Sequence, residues 1–164
     1  MENNPSDNLK KLADKIEDIK TAMLVTAEED GSLRARPMQA LKLEGNAIWF
    51  LTGSDSDKSR EIKTESHVNL SFADESSKLY VSVSGIATVN RDPQKIEELW
   101  SEPFKAWFPG GKEDPNIAVI RVDITQAEYW DTPTSPVVHL IGYTKAVITG
   151  QQYHPGENEK INVQ

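Results

Sequence analysis

The 164-residue chain contains no cysteine, which excludes disulfides, thiolate metal sites and a cysteine nucleophile together. Histidine is scarce: His67, His139 and His154 are scattered, without a nearby carboxylate or a ligand-spaced partner, so neither a zinc site nor a hydrolytic triad is supported. Positive charge is also short, with 18 Lys and Arg against 26 Asp and Glu and a net charge of -8. Such a field repels phosphodiester backbones, and no basic run carries interleaved aromatics, so no nucleic-acid partner is expected. No apolar run reaches the length of a membrane span, and the start, Met1-Glu-Asn-Asn-Pro-Ser-Asp7, is polar and acidic. The expectation is a soluble, cytoplasmic protein with no membrane partner. The hydrophobic fraction of 37% is modest for a single core, and a second copy is expected to complete part of the apolar surface.

Helical spacing opens the chain, and alternation marks two later segments, Lys78 to Val89 and Ile117 to Trp130. Ser6 or Asp7 can cap a first helix carrying Leu9, Leu12, Ile16 and Ile19 at spacings of three and four. Strands are then expected over Thr21 to Ala27, Ser32 to Leu43 with a break or bend at Pro37, Ala47 to Thr52, Val68 to Ala73, Lys78 to Val89 and Ile117 to Trp130. Turns at Glu29-Asp-Gly31 and Glu44-Gly45-Asn46 join the early ones. Helices fit Asp57 to Glu65 and the segment opened by Asp92-Pro93, with an aromatic helix or turn at Phe104 to Phe108. Val137 to Thr149 fits strand or helix. Ser84-Gly85 reads as a strand bulge. The chain is read as one domain over residues 1–150 with an N-terminal helix, followed by a loosely held tail from Gln151 to Gln164. Short links make the strands antiparallel, and five or six of them with peripheral helices give a mainly β, α+β fold, a closed or nearly closed small barrel.

The segment Arg34-Ala-Arg-Pro-Met-Gln39, followed by Trp49-Phe-Leu-Thr52 and Ser54-Asp-Ser-Asp-Lys-Ser-Arg60, concentrates the chemistry. A strand carrying Arg36 leads into a second strand whose exit loop gathers Thr52, Ser54, Ser56, Lys58, Ser59 and Arg60 at a helix start. Hydroxyls, backbone N–H groups and cations in that position suit the phosphate of a phosphorylated aromatic cofactor. The plainer alternatives are a solvated strand face for Arg34 and Arg36, and capping and surface charge for Ser56 and Lys58. Trp100, Trp107 and Trp130 fit core or interface anchors as well as cofactor contacts.

Five motifs and a closing segment carry a resemblance over residues 8–163: Arg36-Pro-Met38, Trp49-Phe-Leu-Thr52 with Ser56-Asp-Lys58, Tyr80-Val-Ser-Val-Ser-Gly85, Ala106-Trp-Phe-Pro-Gly-Gly111, Glu128-Tyr-Trp-Asp131 and Gly156-Glu-Asn-Glu-Lys-Ile-Asn-Val163. The chain resembles the general stress protein branch of the pyridoxamine 5′-phosphate oxidase-like, flavin-binding split-barrel family. The resemblance implies an antiparallel split β-barrel of the FMN-binding type, a homodimer holding FMN, with FAD as the alternative, in clefts at the subunit interface. It places Arg36, Pro37, Met38 and Gln39 at the isoalloxazine edge, and Leu51, Thr52, Ser56 and Lys58 on the ribityl and phosphate side, with Arg36 also reaching the phosphate. Tyr80 is implied to approach from the partner subunit, and Trp107 and Trp130 to cover the ring.

Two departures limit the implied activity. Ser56-Asp57-Lys58 stands where the oxidases carry Ser-Arg-Lys, and the Tyr/Arg/Ser set and the Arg-x-His element that bind pyridoxamine phosphate are absent. The expectation is flavin-dependent oxidoreductase potential with an unidentified small-molecule substrate, and no oxidation of pyridoxamine phosphate. The alternatives are a non-catalytic protein that stores or senses flavin, and a cofactor-free split-barrel interaction module.

Overall fold

The computed structural model of the protein describes residues 5–133, 136–154 and 156–162. Helix α1 (Pro5–Ile16) is followed by β1 (Thr21–Ala27), β2 (Leu33–Gln39), β3 (Lys42–Glu44) and β4 (Ala47–Gly53). Then come α2 (Asp57–Thr64), β5 (His67–Asp74), β6 (Leu79–Asn90) and α3 (Pro93–Leu99). Two 3₁₀ turns (Glu102–Ala106 and Gly111–Glu113) precede β7 (Ile117–Asp131), α4 (Pro136–Thr149) and β8 (Glu157–Asn162). Local chemistry explains most boundaries. Gly31 and Gly45 supply the positive φ values of +83° and +59° that the two early turns need. The Asp92 carboxylate accepts from the N–H groups of Gln94 and Lys95, capping α3 ahead of Pro93. Helix α1 begins at Pro5, so Ser6 and Asp7 lie in its first turn and do not precede it.

Among the described residues, eight strands form one antiparallel sheet in the order β2-β1-β5-β6-β7-β4-β3, with β8 added beside β7. Strand β7 organises it. One edge of β7 pairs with β6 along nearly its whole length, while the other edge is shared, with residues 117–123 taken by β4 and 126–131 by β8. The register slips at Ser84 and Gly85, leaving Thr125 without an opposite number. Glycine is required there, because a Cβ on Gly85 would lie 2.5 Å from the Asp123 carbonyl oxygen. This is the bulge expected from Ser84-Gly85.

Period-two alternation sends Leu24, Ile48, Phe50, Leu70, Phe72, Val81, Val83, Val122 and Tyr129 inward, where they pack with Leu12 and Ile16 of α1. A smaller second core lies outside the barrel, where α3 and the aromatic turn cover β4 and β7 with Ile96, Leu99, Phe108, Ile117 and Val119. The architecture is the α+β antiparallel split barrel expected. The sheet does not close, because among the described residues no ladder joins β2 to β3. Two strand-level expectations need correction. The break at Pro37 falls later, at Ala40 and Leu41, since Pro37 still pairs with Met23 on an edge strand that needs no donor from it. Within the tail expected to be loose, residues 157–162 are held: they form β8, and Ile161 is only 1% exposed. A segment with one large apolar residue is fixed by pairing and charge. The Tyr129 hydroxyl donates to Glu159 at 2.9 Å, and Lys11 of α1 pairs with the same carboxylate. The ambiguous 137–149 segment is helical, as α4.

Candidate functional site

Three pieces of chain meet in a cleft of about 330 Å³. The end of β2 and its continuation contribute Pro37, Met38, Gln39 and Leu41; β4 contributes Leu51, Thr52 and Gly53; α2 contributes Lys58. The aromatic turn closes the third side with Phe104, Trp107 and Phe108. The turn is wound by bonds from the N–H groups of Trp107 and Phe108 to the Phe104 carbonyl, at 3.0 and 2.9 Å. Phe108 is thereby pinned in the outer core, while Trp107 stays 73% exposed at the cleft's mouth.

Lys58 is the only ionisable side chain among the described residues lining this cleft, and no hydrogen bond or ion pair engages its ammonium among those residues. Burial, and next the guanidinium of Arg36, hold its pKa below the ordinary lysine value, while Asp57 and Glu61 act in the opposite sense. A half-buried, unpaired ammonium beside the first turn of a helix gains from any anion that reaches it. The hydroxyls of this loop point elsewhere. Ser56 Oγ and Ser59 Oγ donate to the Gly53 carbonyl at 2.8 and 2.7 Å, folding the loop on itself. Asn116 ties the loop to the start of β7, accepting from Ser54 Oγ at 2.9 Å.

Seven of the ten sequence-predicted residues line this cleft: Pro37, Met38, Gln39, Leu51, Thr52, Lys58 and Trp107. Arg36, Ser56 and Tyr80 do not. Arg36 Nη2 donates to Glu61 Oε2 at 2.8 Å, its Nη1 is bonded to Thr26 Oγ1, and its side chain is 18% exposed. Arg34 reaches Glu61 as well, at 3.4 Å, so the two arginines share a face as their spacing predicted. Asp57 sits between two cations, paired with Arg60 and lying 3.6 Å from Arg34. Its negative charge is therefore compensated. Burial pushes the Glu61 carboxyl upward, but the Thr26 hydroxyl and Arg36 outweigh it, and the net shift is downward. Tyr80 lies on the outward side of β6, paired with Trp130 and 40% exposed.

Four lining residues were missed. Leu41 lies two and four residues beyond Gln39 and Pro37 and continues their alternation, a signal obscured by the turn that follows. Phe104 and Phe108 are spaced like one face of a helical turn, and Gly53 carries no side chain to signal a role. Of the histidines, His67 does have a carboxylate nearby, Glu65 at 2.7 Å, at the exposed start of β5 where its side chain is 77% accessible. Among the described residues no group of three or more metal-ligating side chains occurs, and no helix is long and apolar enough to cross a membrane.

The fold is that of an antiparallel split-barrel protein, carrying a cleft with three aromatic residues, Phe104, Trp107 and Phe108, and one unpaired cation, Lys58. The family model described as pyridoxamine 5′-phosphate oxidase like matches residues 7–154, and the chain belongs to that family. It is 31% identical to Protein bli-3 of Neurospora crassa over 143 residues, which span 80% of this chain and 68% of that protein. A solved structure described as a general stress protein 26, from Jannaschia sp. CCS1, matches with a TM-score of 0.73 at 25% identity, covering 96% of this chain and 99% of that one. The general stress FMN/FAD binding protein of Xanthomonas citri matches with a TM-score of 0.67 at 32% identity, covering 79% and 92%.

Proposed function

We propose that the chain binds a flavin nucleotide, FMN with FAD as the alternative, in the Lys58 cleft, as a homodimer with oxidoreductase potential. The observation that carries this reading is the pairing of an unpartnered, half-buried ammonium with apolar and aromatic walls in one cleft. A planar ring with an anionic tail matches both. Met38, Leu51, Phe104 and Trp107 offer the ring packing area, the exposed amide of Gln39 offers its polar edge a hydrogen bond, and Lys58 with the first turn of α2 offers charge to the phosphate. Arg36 contributes field rather than contact, since Glu61 and Thr26 engage its guanidinium. The similarity to the Xanthomonas FMN/FAD binding protein supports the same ligand class.

A bound flavin would supply the redox chemistry, and the chain's residues position it and shape its electrostatics. No carboxylate or imidazole lines the cleft among the described residues, so no side chain is assigned to proton transfer. The same feature supports the second reading, a protein that stores or senses flavin without turnover. The cofactor-free module loses its best argument, because the charge of Asp57 is compensated by Arg60 and Arg34. The missing phosphate-binding set argues against pyridoxamine phosphate as substrate.

The test is a visible absorption spectrum of the purified protein before and after addition of FMN, followed by gel filtration and identification of the released flavin. Flavin bands that travel with the protein support the reading, and NAD(P)H reduction then separates enzyme from carrier. A colourless protein that ignores both FMN and FAD overturns it.

A further inference from the structure

Among the described residues, helix α4 is the least polar helix and the least supported. Its sequence, PVVHLIGYTKAVIT, holds no acid and one permanent cation, Lys145. Leu140, Ile141, Tyr143, Val147 and Ile148 are 61–77% exposed. At 3.6 residues per turn these five fall on one arc of roughly 160°. Thr144, in the middle of that arc, donates its hydroxyl to the Leu140 carbonyl at 2.8 Å and adds no free polarity. No strand or helix among the described residues packs extensively on α4. Its visible anchor is His139, whose Nε2 donates to the Pro133 carbonyl and whose Nδ1 shares a hydrogen bond with the Tyr153 hydroxyl at 2.7 Å. An isolated helix of fourteen residues is marginal in water even with ideal composition. One with its apolar arc in water needs a cover.

The matching surface is the outward face of β1, β5 and β6. Across the ladders, Met23 lies beside Ser71 and Ser71 beside Ser82, while Ala73 lies beside Tyr80, which borders Trp130 of β7. These side chains are small, apolar or neutral, and none carries a charge. Two copies of a chain with net charge -8 repel wherever their acids face each other. Helix α4 is acid-free, and the outward residues named on β1, β5 and β6 carry no acid, with Glu128 of β7, opposite Ser82, at their border, so α4 can meet this face without setting acid against acid. Tyr80 and Trp130, each 40% exposed, lie side by side at the end of this face where β6 begins and β7 ends. A membrane surface fits less well, because one lysine in an acidic protein offers anionic headgroups little attraction.

We propose that α4 is a docking arm for a second copy of this chain, seating its Leu140 to Ile148 stripe on the outward face of β1, β5 and β6 of that copy. Two-fold symmetry makes the exchange reciprocal, so the apolar arc is buried twice for one contact geometry. The inference rests on the homodimer reading above and is independent of flavin.

The absence of native cysteine makes the test direct. Full-length Val147→Cys and Ser82→Cys proteins are prepared separately, mixed, allowed to exchange subunits and treated with a short bis-maleimide. The expected result is a cross-linked species joining one protein of each kind, well above the yield from a Val147→Cys mixture with Lys63→Cys, a control on exposed α2. In parallel, Leu140→Asp/Ile148→Asp is expected to dissociate at least tenfold more readily in light scattering, with unchanged far-UV circular dichroism. A wild-type dimer that gives no such cross-link, or a folded double variant that dimerises normally, overturns the docking arm and leaves the homodimer standing. A wild-type monomer at all concentrations overturns both. Flotation with phosphatidylcholine/phosphatidylglycerol vesicles that depends on the same two residues, without dimerisation, assigns α4 to a membrane surface instead. If the double variant fails to fold, the cross-link alone decides.

Discussion

Arg36 of β2 and Glu61 of α2 are joined by a 2.8 Å charge-assisted hydrogen bond that runs across the barrel wall and is shared with Thr26 of β1. The bond locks α2 onto the strands and so fixes where Lys58, three residues before Glu61, stands relative to the cleft. Arg36, the residue that looked most like a phosphate ligand in sequence, is engaged by Glu61 and Thr26 and thus positions the cleft-facing cation, Lys58.

The first prediction follows from that lock. Glu61→Gln removes the negative partner from two largely buried groups and is expected to cost about 1.5–3 kcal/mol, the range for hydrogen bonds to charged groups. For a chain of this length the melting temperature falls by roughly 2–4 °C per kcal/mol. The pH dependence has a fixed sign. The Glu61 carboxyl titrates below its ordinary value of 4.5 in the folded protein, so its contribution is fully present above that pH and is lost as the pH falls through the folded value. Thermal melts of the two proteins are expected to differ at pH 7 and to converge as the pH falls below the ordinary carboxylate range. Parallel curves across that window would refute the assignment.

Lys58→Ala is expected to leave stability almost unchanged or slightly raised, because it removes an unpaired cation whose burial is unfavourable. FMN affinity is expected to fall about 10- to 100-fold, equivalent to one charge-assisted hydrogen bond. Riboflavin, which lacks the phosphate, is the control: its affinity should change little. Fluorescence titration of both ligands checks this, and an equal loss for the two would remove Lys58 from the phosphate side.

The longer strands were legible because β6 and β7 alternate and β1 is an apolar run of strand length, and the bulge because Gly85 interrupts such an alternation. The cleft was legible where chemistry clustered in sequence, from Pro37 to Gln39 and from Leu51 to Lys58. What could not be read was direction. Nothing in Arg34-Ala-Arg36 shows that both arginines turn to Glu61, since that carboxylate lies 25 residues away on a helix. Nor does Ser56 announce that its hydroxyl closes on Gly53 instead of facing a ligand. Strand β8 was illegible for a related reason: Glu157-Asn-Glu-Lys-Ile-Asn162 has one large apolar residue, and its place depends on pairing with β7 and on Lys11 meeting Glu159.

That placement gives a third prediction. Ile161 is 1% exposed within the barrel core, and Ile161→Ala is expected to cost about 2–4 kcal/mol, as for other buried large-to-small changes. A tail held only loosely would give a change within about 0.5 kcal/mol, the range for surface substitutions. Urea unfolding with an unchanged m value distinguishes the two.

Trp107 separates a structural anchor from a ligand contact. Phe104 and Phe108 carry the packing of their turn, Phe108 in the outer core and Phe104 against it, while Trp107 between them is 73% exposed. Removing its ring from the folded chain therefore empties little buried volume, and Trp107→Ala is expected to shift the melting temperature of the ligand-free protein by less than about 2 °C. If the ring of a bound flavin packs against it, the lost aromatic contact is worth about 0.5–1.5 kcal/mol, which lowers affinity roughly 2- to 12-fold. FMN and riboflavin should lose affinity alike, the reverse of the pattern at Lys58, because the contact is to the ring they share. A variant that melts much earlier but binds both flavins normally would make Trp107 part of the fold and remove it from the site.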